Sequence, residues 1–435
     1  MSKVLKNIAY YSKERISLND IDIENYVTTD NLLQNKQGKV KAEKMPKQSS
    51  SSVTRYDKDD ILIANIRPYL KKIWFAKNIG GSSADVLTLK IKKGINPKFI
   101  YYSLFRDEFF DHMMVGSKGT KMPRGDKDQI LEFPIPNFDL SKQNQIAKVL
   151  SDLDAKIEVN NKINQQLEAM AKLVYDYWFV QFDFPMPEAD AEAMGKPELA
   201  GKPYKTSGGK MVYNAELKRE IPERWEDGTL SDIAEITMGQ SPAGSSYNQE
   251  GIGTVFYQGS TDFGLRFPTV RQYTTEPSRM AQKGDILLSV RAPVGTINQA
   301  MEDCCIGRGL ASLREKKGSI SYLWSQMVYF KQIFDRKNAS GTTFGAITRN
   351  ELFGLKVCIP NEQVLYNFKE IIDPLHDKII VCSKENQQLA ELRDWLLPML
   401  MNGQVSVKDT YKEAEDVAMS PDNYRQVAED DVKYK

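Results

Sequence analysis

The chain has 435 residues, with 59 Lys+Arg against 58 Asp+Glu, 2 His, 4 Cys, 41% hydrophobic and 27% charged residues. That length accommodates two or three domains with their own cores, and the composition excludes wholesale disorder, a collagen-like chain and a membrane-embedded one. No apolar run approaches the ~18 to 20 residues of a bilayer crossing, the N-terminus lacks a secretory apolar core, and the four Cys show no paired spacing, so a reducing cytoplasm is the expected compartment.

Residues 1–140 read as a mixed α/β module. Its β-branched runs at 60–66 and 85–91 are bounded by charge and Gly as strands are, and residues 99–114 alternate as an amphipathic helix. A long helix is expected over 141–184. Its seam runs through Ile146, Leu150, Leu153, Ile157, Asn160, Asn164, Leu167, Ala171, Val174 and Trp178. Spacings of four and three sustain a 3.5-residue repeat, the mark of helices wound about one another. Residues 185–228, rich in Ala, Glu, Gly, Pro and Lys, read as a linker with a hairpin turning at Ser207-Gly208-Gly209.

A second mixed module follows over 229–360, with strand-like runs at 285–290 and 356–360 and a helix at 322–334. The second long helix, 361–403, carries Phe368, Ile372, Leu375, Ile379, Cys382, Asn386, Leu389, then Leu392 or Arg393, Leu396 and Leu400. Pro374 removes a backbone donor, and a kink or a split is expected there. Asn164 and Asn386 hold equivalent seam positions, where a buried Asn pair would fix register. Tyr175, Tyr177, Trp178 and Trp395 near the helix ends read as packing against the opposite module. Residues 404–435 form an acidic tail with 5 basic and 8 acidic residues.

The order of elements in the two halves is the same because the chain repeats itself. At an offset of 225, Leu5, Ile8 and Ala9 fall on Leu230, Ile233 and Ala234; at 222, LDAKIEVNNKINQQL falls on LHDKIIVCSKENQQL with 9 identities in 15. The result is an α+β chain of two similar units related by an internal repeat.

Catalytic spacing is missing. The sequence holds no G-x-x-x-x-G-K-[ST], H-E-x-x-H, G-x-S-x-G or C-x-x-C motif and no Asn/Asp-Pro-Pro-aromatic run. His112 and His376 are far apart, and adjacent Cys304-Cys305 suits packing better than a metal or disulfide. Gly307-x-Gly309 reads as a turn. Charge is uneven: residues 61–127 carry 13 basic and 5 acidic residues, a local +8 that suits nucleic acid. Forked donors and cations for base edges and phosphates are therefore sought in loops. Candidates in the first copy are Arg67, Lys71, Lys72, Lys118, Thr120, Lys121 and Arg124; in the second they are Arg291, Arg308, Thr342, Thr343 and Arg349. The recurring Gly119-Thr120 and Gly341-Thr342 also read as turn formers, and any single surface Lys as a solubilising one.

Two variable α/β units, each closed by a near-identical helix with the endings GTKMPRGDKDQILEFPIPNFDLSKQNQIAKVLSDLDAKI and GTTFGAITRNELFGLKVCIPNEQVLYNFKEIIDPLHDKI, resemble the specificity subunit of type I restriction-modification systems over nearly the whole chain. The resemblance implies two target recognition domains that read a bipartite site in double-stranded DNA. It implies that the repeated helices form an antiparallel coiled-coil spacer with pseudo-two-fold symmetry. Two methylation subunits, and restriction subunits through them, are the implied partners, with no membrane. On that reading the chain itself is non-catalytic and holds no cofactor; S-adenosylmethionine, ATP and Mg belong to the partner subunits. Readings from other classes are a DNA-modifying enzyme with an unrecognised motif and a coiled-coil scaffold.

Overall fold

The computed structural model describes residues 3–46, 51–119, 121–316, 320–339 and 345–405, the side chains of 336–339 excepted. The chain divides into two compact units, residues 1–158 with 386–435 and residues 159–385, and both divisions fall inside a long helix.

In the first unit a four-stranded sheet runs in the order Ala9–Tyr11, Val86–Ile91, Ile61–Ala64 and Ile73–Phe75. A second runs Arg15–Ser17, Ser52–Tyr56, Gly80–Ser82 and Tyr26–Val27, with its last pair parallel. Strand Ile61–Ala64 shows how alternation builds two cores. Ile61 and Ile63 lie opposite Leu89 and Leu87 and join the cluster of Phe99, Ile100 and Phe105, whereas Leu62 and Ala64 join Tyr56, Trp74 and Val86. Helix Pro97–Phe105 begins at Asn96, whose side chain accepts from Phe99 N at 3.0 Å, with Pro97 in the first turn where its missing donor costs nothing. Ile146, Leu150 and Leu153 of the first long helix join the same core as Leu396, Leu397, Leu400 and Met401 of the second.

The second unit repeats this plan. One sheet runs Ala234–Met238, Leu310–Glu315, Ile286–Ser289 and Ile297–Gln299. The other has five strands, with Thr254–Tyr257 parallel to Cys304–Ile306 where the first unit pairs Tyr26–Val27 with Gly80–Ser82. Cys304 and Cys305 are buried free thiols in that strand, and burial first pushes the Cys304 thiol up to about 12.

The long helices span Leu140–Tyr175 and Glu362–Asn402. Within the second unit Asn160 donates to Glu385 at 2.7 Å, Asn164 donates to Ser383 at 3.1 Å, and Trp178 packs on Phe368. Partner numbers fall as residue numbers rise, so the helices run antiparallel. Ile372 and Ile379 are fully buried, while Ile157, Leu167, Leu375 and Leu389 are half-buried, as expected for a seam covered by one partner helix. Asn164 takes Ser383 as its hydrogen-bond partner, not the expected Asn386, and its buried Oδ1 accepts no hydrogen bond.

Several expectations are corrected. Of the kink or split expected at Pro374, the split does not occur: the second helix continues through this exposed residue. The first helix ends earlier than the expected residue 184, passing at Asp176–Val180 into a π-turn that places Trp178 and Phe179 in the core. The expected linker is folded: Met186, Ala191, Tyr204, Ile221 and Trp225 belong to the second unit's core, and Phe184 stacks on Tyr204 and Trp225. Its hairpin joins Met211–Asn214 to Arg219–Pro222, so it turns at residues 215–218 and not at Ser207-Gly208-Gly209. Asn214 Oδ1 accepts from Leu217 N at 2.9 Å and Lys218 takes φ 52°, while Gly209 is needed where a Cβ would lie 2.5 Å from the Tyr204 ring. Of the four aromatics, Tyr175 and Trp178 are buried in the second unit, whereas Tyr177 and Trp395 are exposed. The acidic tail from 406 onward lies outside the described residues.

Candidate nucleic-acid interface

In the first unit the loop that leaves Ile61–Ala64 and the loop before the short helix Lys127–Leu131 are stitched by their backbones. Arg67 N donates to Pro123 O at 2.8 Å, and bridges pair Ile66 with Arg124 and Lys118 with Arg124. Arg67 sits at φ 53°, a left-handed geometry that a non-Gly residue holds only when its surroundings enforce it. The stitching gathers Arg67, Lys118, Lys121 and Arg124, all exposed, on one edge. Arg124 Nη2 lies 2.9 Å from Asp85 and Lys118 Nζ lies 3.3 Å from Asp126, exposed pairs that phosphates can exchange at little cost.

Lys71 and Lys72 are placed differently. Lys71 Nζ lies 2.9 Å from Asp107, which also holds Lys36, and Lys72 donates to the Thr29 carbonyl. Burial first holds the Lys72 ammonium below its ordinary value. Both are committed within the fold and stand apart from the exposed cations.

The second unit has the same stitching. Arg291, leaving Ile286–Ser289, bridges to Ala346 ahead of the short helix Arg349–Phe353, and Ile347 N donates to Val290 O at 2.9 Å. Arg291, Arg308 and Arg349 are exposed. Arg349 stands in the first turn of its helix, beside the Thr348–Glu351 capping box and over the Phe353 ring. Between Arg291 and the turn Gly307-Arg308-Gly309 is a polar notch of about 220 Å³ walled by Gln258, Ser260, Thr261 and Ser289. Thr120, Thr342 and Thr343 lie outside the described residues.

Arg266 had no sequence signal. Its side chain is 3% exposed, the guanidinium lies 3.3 Å from the Trp324 ring centre, and Nη1 is 3.9 Å from Glu168 of the first long helix. Nη2 donates weakly to Gln299 at 3.3 Å, while Nε and Nη1 have no hydrogen-bond partner. Burial, opposed by Glu168, lowers its pKa to about 9. Beside it a cavity of about 440 Å³ is lined by Glu168, Ala171, Trp324, Tyr329 and His376. His376 Nδ1 meets Ser321 Oγ at 3.1 Å, and burial followed by Arg266 lowers its pKa to about 3, so the ring is neutral. Among the described residues no His, Cys, Asp and Glu cluster suits a metal ion, and no helix is long and apolar enough to cross a membrane.

Two repeated modules with basic loop edges and long antiparallel helices define a class, and comparison with known proteins identifies it. A family model described as type I restriction modification DNA specificity domain matches residues 4–169 and again 222–391. The chain belongs to that family, whose role is recognition of the DNA target and whose members are not themselves catalytic. It is 30% identical over 324 residues, 73% of this chain and 70% of the relative, to the MjaX type I restriction enzyme specificity subunit of Methanocaldococcus jannaschii. It is 24% identical over 411 residues, 80% of this chain and 87% of the relative, to the HindI specificity subunit of Haemophilus influenzae. The crystal structure of a type I restriction-modification S subunit from M. genitalium covers 92% of this chain and 95% of its own with TM-score 0.50 and 16% identity, a likeness of fold.

Proposed function

We propose that this specificity subunit reads a bipartite site in duplex DNA, one half with each unit, and that the antiparallel helices set the gap between the halves. Arg67, Lys118, Lys121 and Arg124 face the first half-site, and Arg291, Arg308 and Arg349 the second. The observation that carries this reading is the stitching repeated in both units, which puts an Arg beyond the same strand against the loop before the same short helix. Forked guanidiniums held on rigid loop edges suit base edges and phosphates.

The repeat offers one surface twice, which suits two copies of a methylation subunit, with restriction subunits joining through them. S-adenosylmethionine, ATP and Mg then belong to those partners, and the complex works in the cytoplasm. Gel-shift titration of the chain with its methylation partner tests the reading. Neutralising Arg67, Lys121 and Arg124 together is expected to weaken binding at least tenfold and to reduce the slope of log affinity against log salt by about 2 to 3. Unchanged affinity and slope would refute it.

A further inference from the structure

We infer that the notch in the second unit is a base-reading subsite, and that Gln258 in it reads an adenine. This rests on the DNA-reading function proposed above and adds the residue and the base.

The notch is built where two parallel strands end. Gln258 follows Thr254–Tyr257, and its backbone is held by Gly307 N donating to Tyr257 O at 2.9 Å and Gly309 N donating to Gln258 O at 3.3 Å. Glycine is required on the facing turn. A Cβ on Gly307 would lie 3.0 Å from Gln258 Cα, and one on Gly309 2.8 Å from Gln258 O. Gly239 is tighter still, with its Cβ 2.2 Å from the Gly307 carbonyl. A turn read in the sequence only as Gly-x-Gly thus packs directly on the Gln258 backbone, with Gly309 in the wall of the notch.

Into the notch Gln258 presents a carboxamide. Its Nε2 donates to Ser241 Oγ at 3.0 Å, its Oε1 accepts from the same hydroxyl at 3.4 Å, and Ser241 Oγ also accepts from Arg308 N at 3.3 Å. One serine thus ties the amide to the Gly-Arg-Gly turn and holds the donor–acceptor edge that a base would take over. The Gln258 side chain is exposed, and across from it stands exposed Arg291, its carbonyl accepting from Ser289 Oγ at 2.8 Å. No carboxylate lies among the described residues that wall the notch. Its volume of about 220 Å³ falls below the ~300 Å³ at which drug-sized ligand pockets begin, which suits the edge of one base. A carboxamide, with one donor and one acceptor side by side, matches adenine N7 and N6, and an arginine beside it matches guanine or phosphate.

The corresponding place in the first unit holds Thr28, not Gln. After Tyr26–Val27, the strand parallel to Gly80–Ser82, the Thr29 carbonyl is taken by Lys72. Adenine reading by this device therefore belongs to one half-site.

The test uses the full chain in complex with its methylation partner and a set of duplexes that change the selected target one base pair at a time. Gln258→Ala is expected to lose about five- to hundredfold of discrimination at a single A·T position of one half-site, with every other position read as before. Gln258→Glu, of the same shape, is expected to move the preference at that position toward cytosine, whose N4 donates. Equal weakening on all duplexes, or discrimination unchanged in both variants, would overturn the assignment of Gln258 while leaving the bipartite reading intact. A wild-type complex without any bipartite preference would overturn both.

Discussion

The two units attach their modules to the long helices at equivalent places with different chemistry. At the 222-residue offset Asp154 corresponds to His376, Arg393 to Ala171 and Tyr102 to Trp324. In the first unit Arg393 pairs with Asp154 at 2.8 Å over the Phe105 ring, and Tyr102 donates to the same carboxylate at 2.6 Å. Charge and hydrogen-bond needs are met together, as a half-buried pair requires. In the second unit Ala171 leaves open the space that an arginine fills in the first, a cavity remains, and Arg266 approaches from the module side beside a neutral histidine. One fold tolerates either solution because the backbone plan and the apolar seam carry the junction, and the polar groups adjust it.

The largest effect is expected from breaking the satisfied junction. Arg393→Ala should destabilise the first unit by about 3 kcal/mol, since Asp154 would keep its burial and lose its cation; a change below about 1 kcal/mol in urea unfolding would show the two junctions to be energetically alike. Next comes His376. Its folded-state pKa of about 3 lies below the ordinary 6.5, so between those values the unfolded chain takes up a proton that the fold refuses. The stability it contributes is complete above pH ~6.5 and falls on acidification, by about 1 to 2 kcal/mol from pH 7 to pH 5. Unfolding midpoints at the two pH values should show this loss for the wild type and a flatter response for His376→Gln; parallel responses would contradict a buried neutral ring. The smallest effect is expected at Arg266. Its pairing is poor, so Arg266→Met should alter stability by less than about 1 kcal/mol in either direction, and a loss above about 3 kcal/mol in thermal melting would show the cation to be a clamp.

The repeat, the strands and the seam were legible because they are periodic: Ile146, Leu150 and Leu153 announce their shared face by spacing alone. Turn positions were less so. Ser207-Gly208-Gly209 has hairpin composition, yet Gly209 serves the packing of Tyr204, and Asn214 with Lys218 makes the turn. Pro374 removes one hydrogen bond from a helix of 41 residues, too little to end an element supported by a buried face. At the candidate interface, the equivalence of Arg67 and Arg291 was visible from their place after equivalent strands. The commitment of Lys71 to Asp107 and Lys72 to Thr29 was not, because those partners are distant in sequence. Gln258 and Arg266 gain their roles from glycine turns and aromatic walls that only the folded chain assembles.

Selection of bound duplexes from a randomised pool by the chain with its methylation partner measures DNA reading most directly. Two short specified blocks separated by an unspecified gap of one length are the expected outcome. A single unbroken block, or a pool that emerges unenriched, would contradict two readers held apart by the helices.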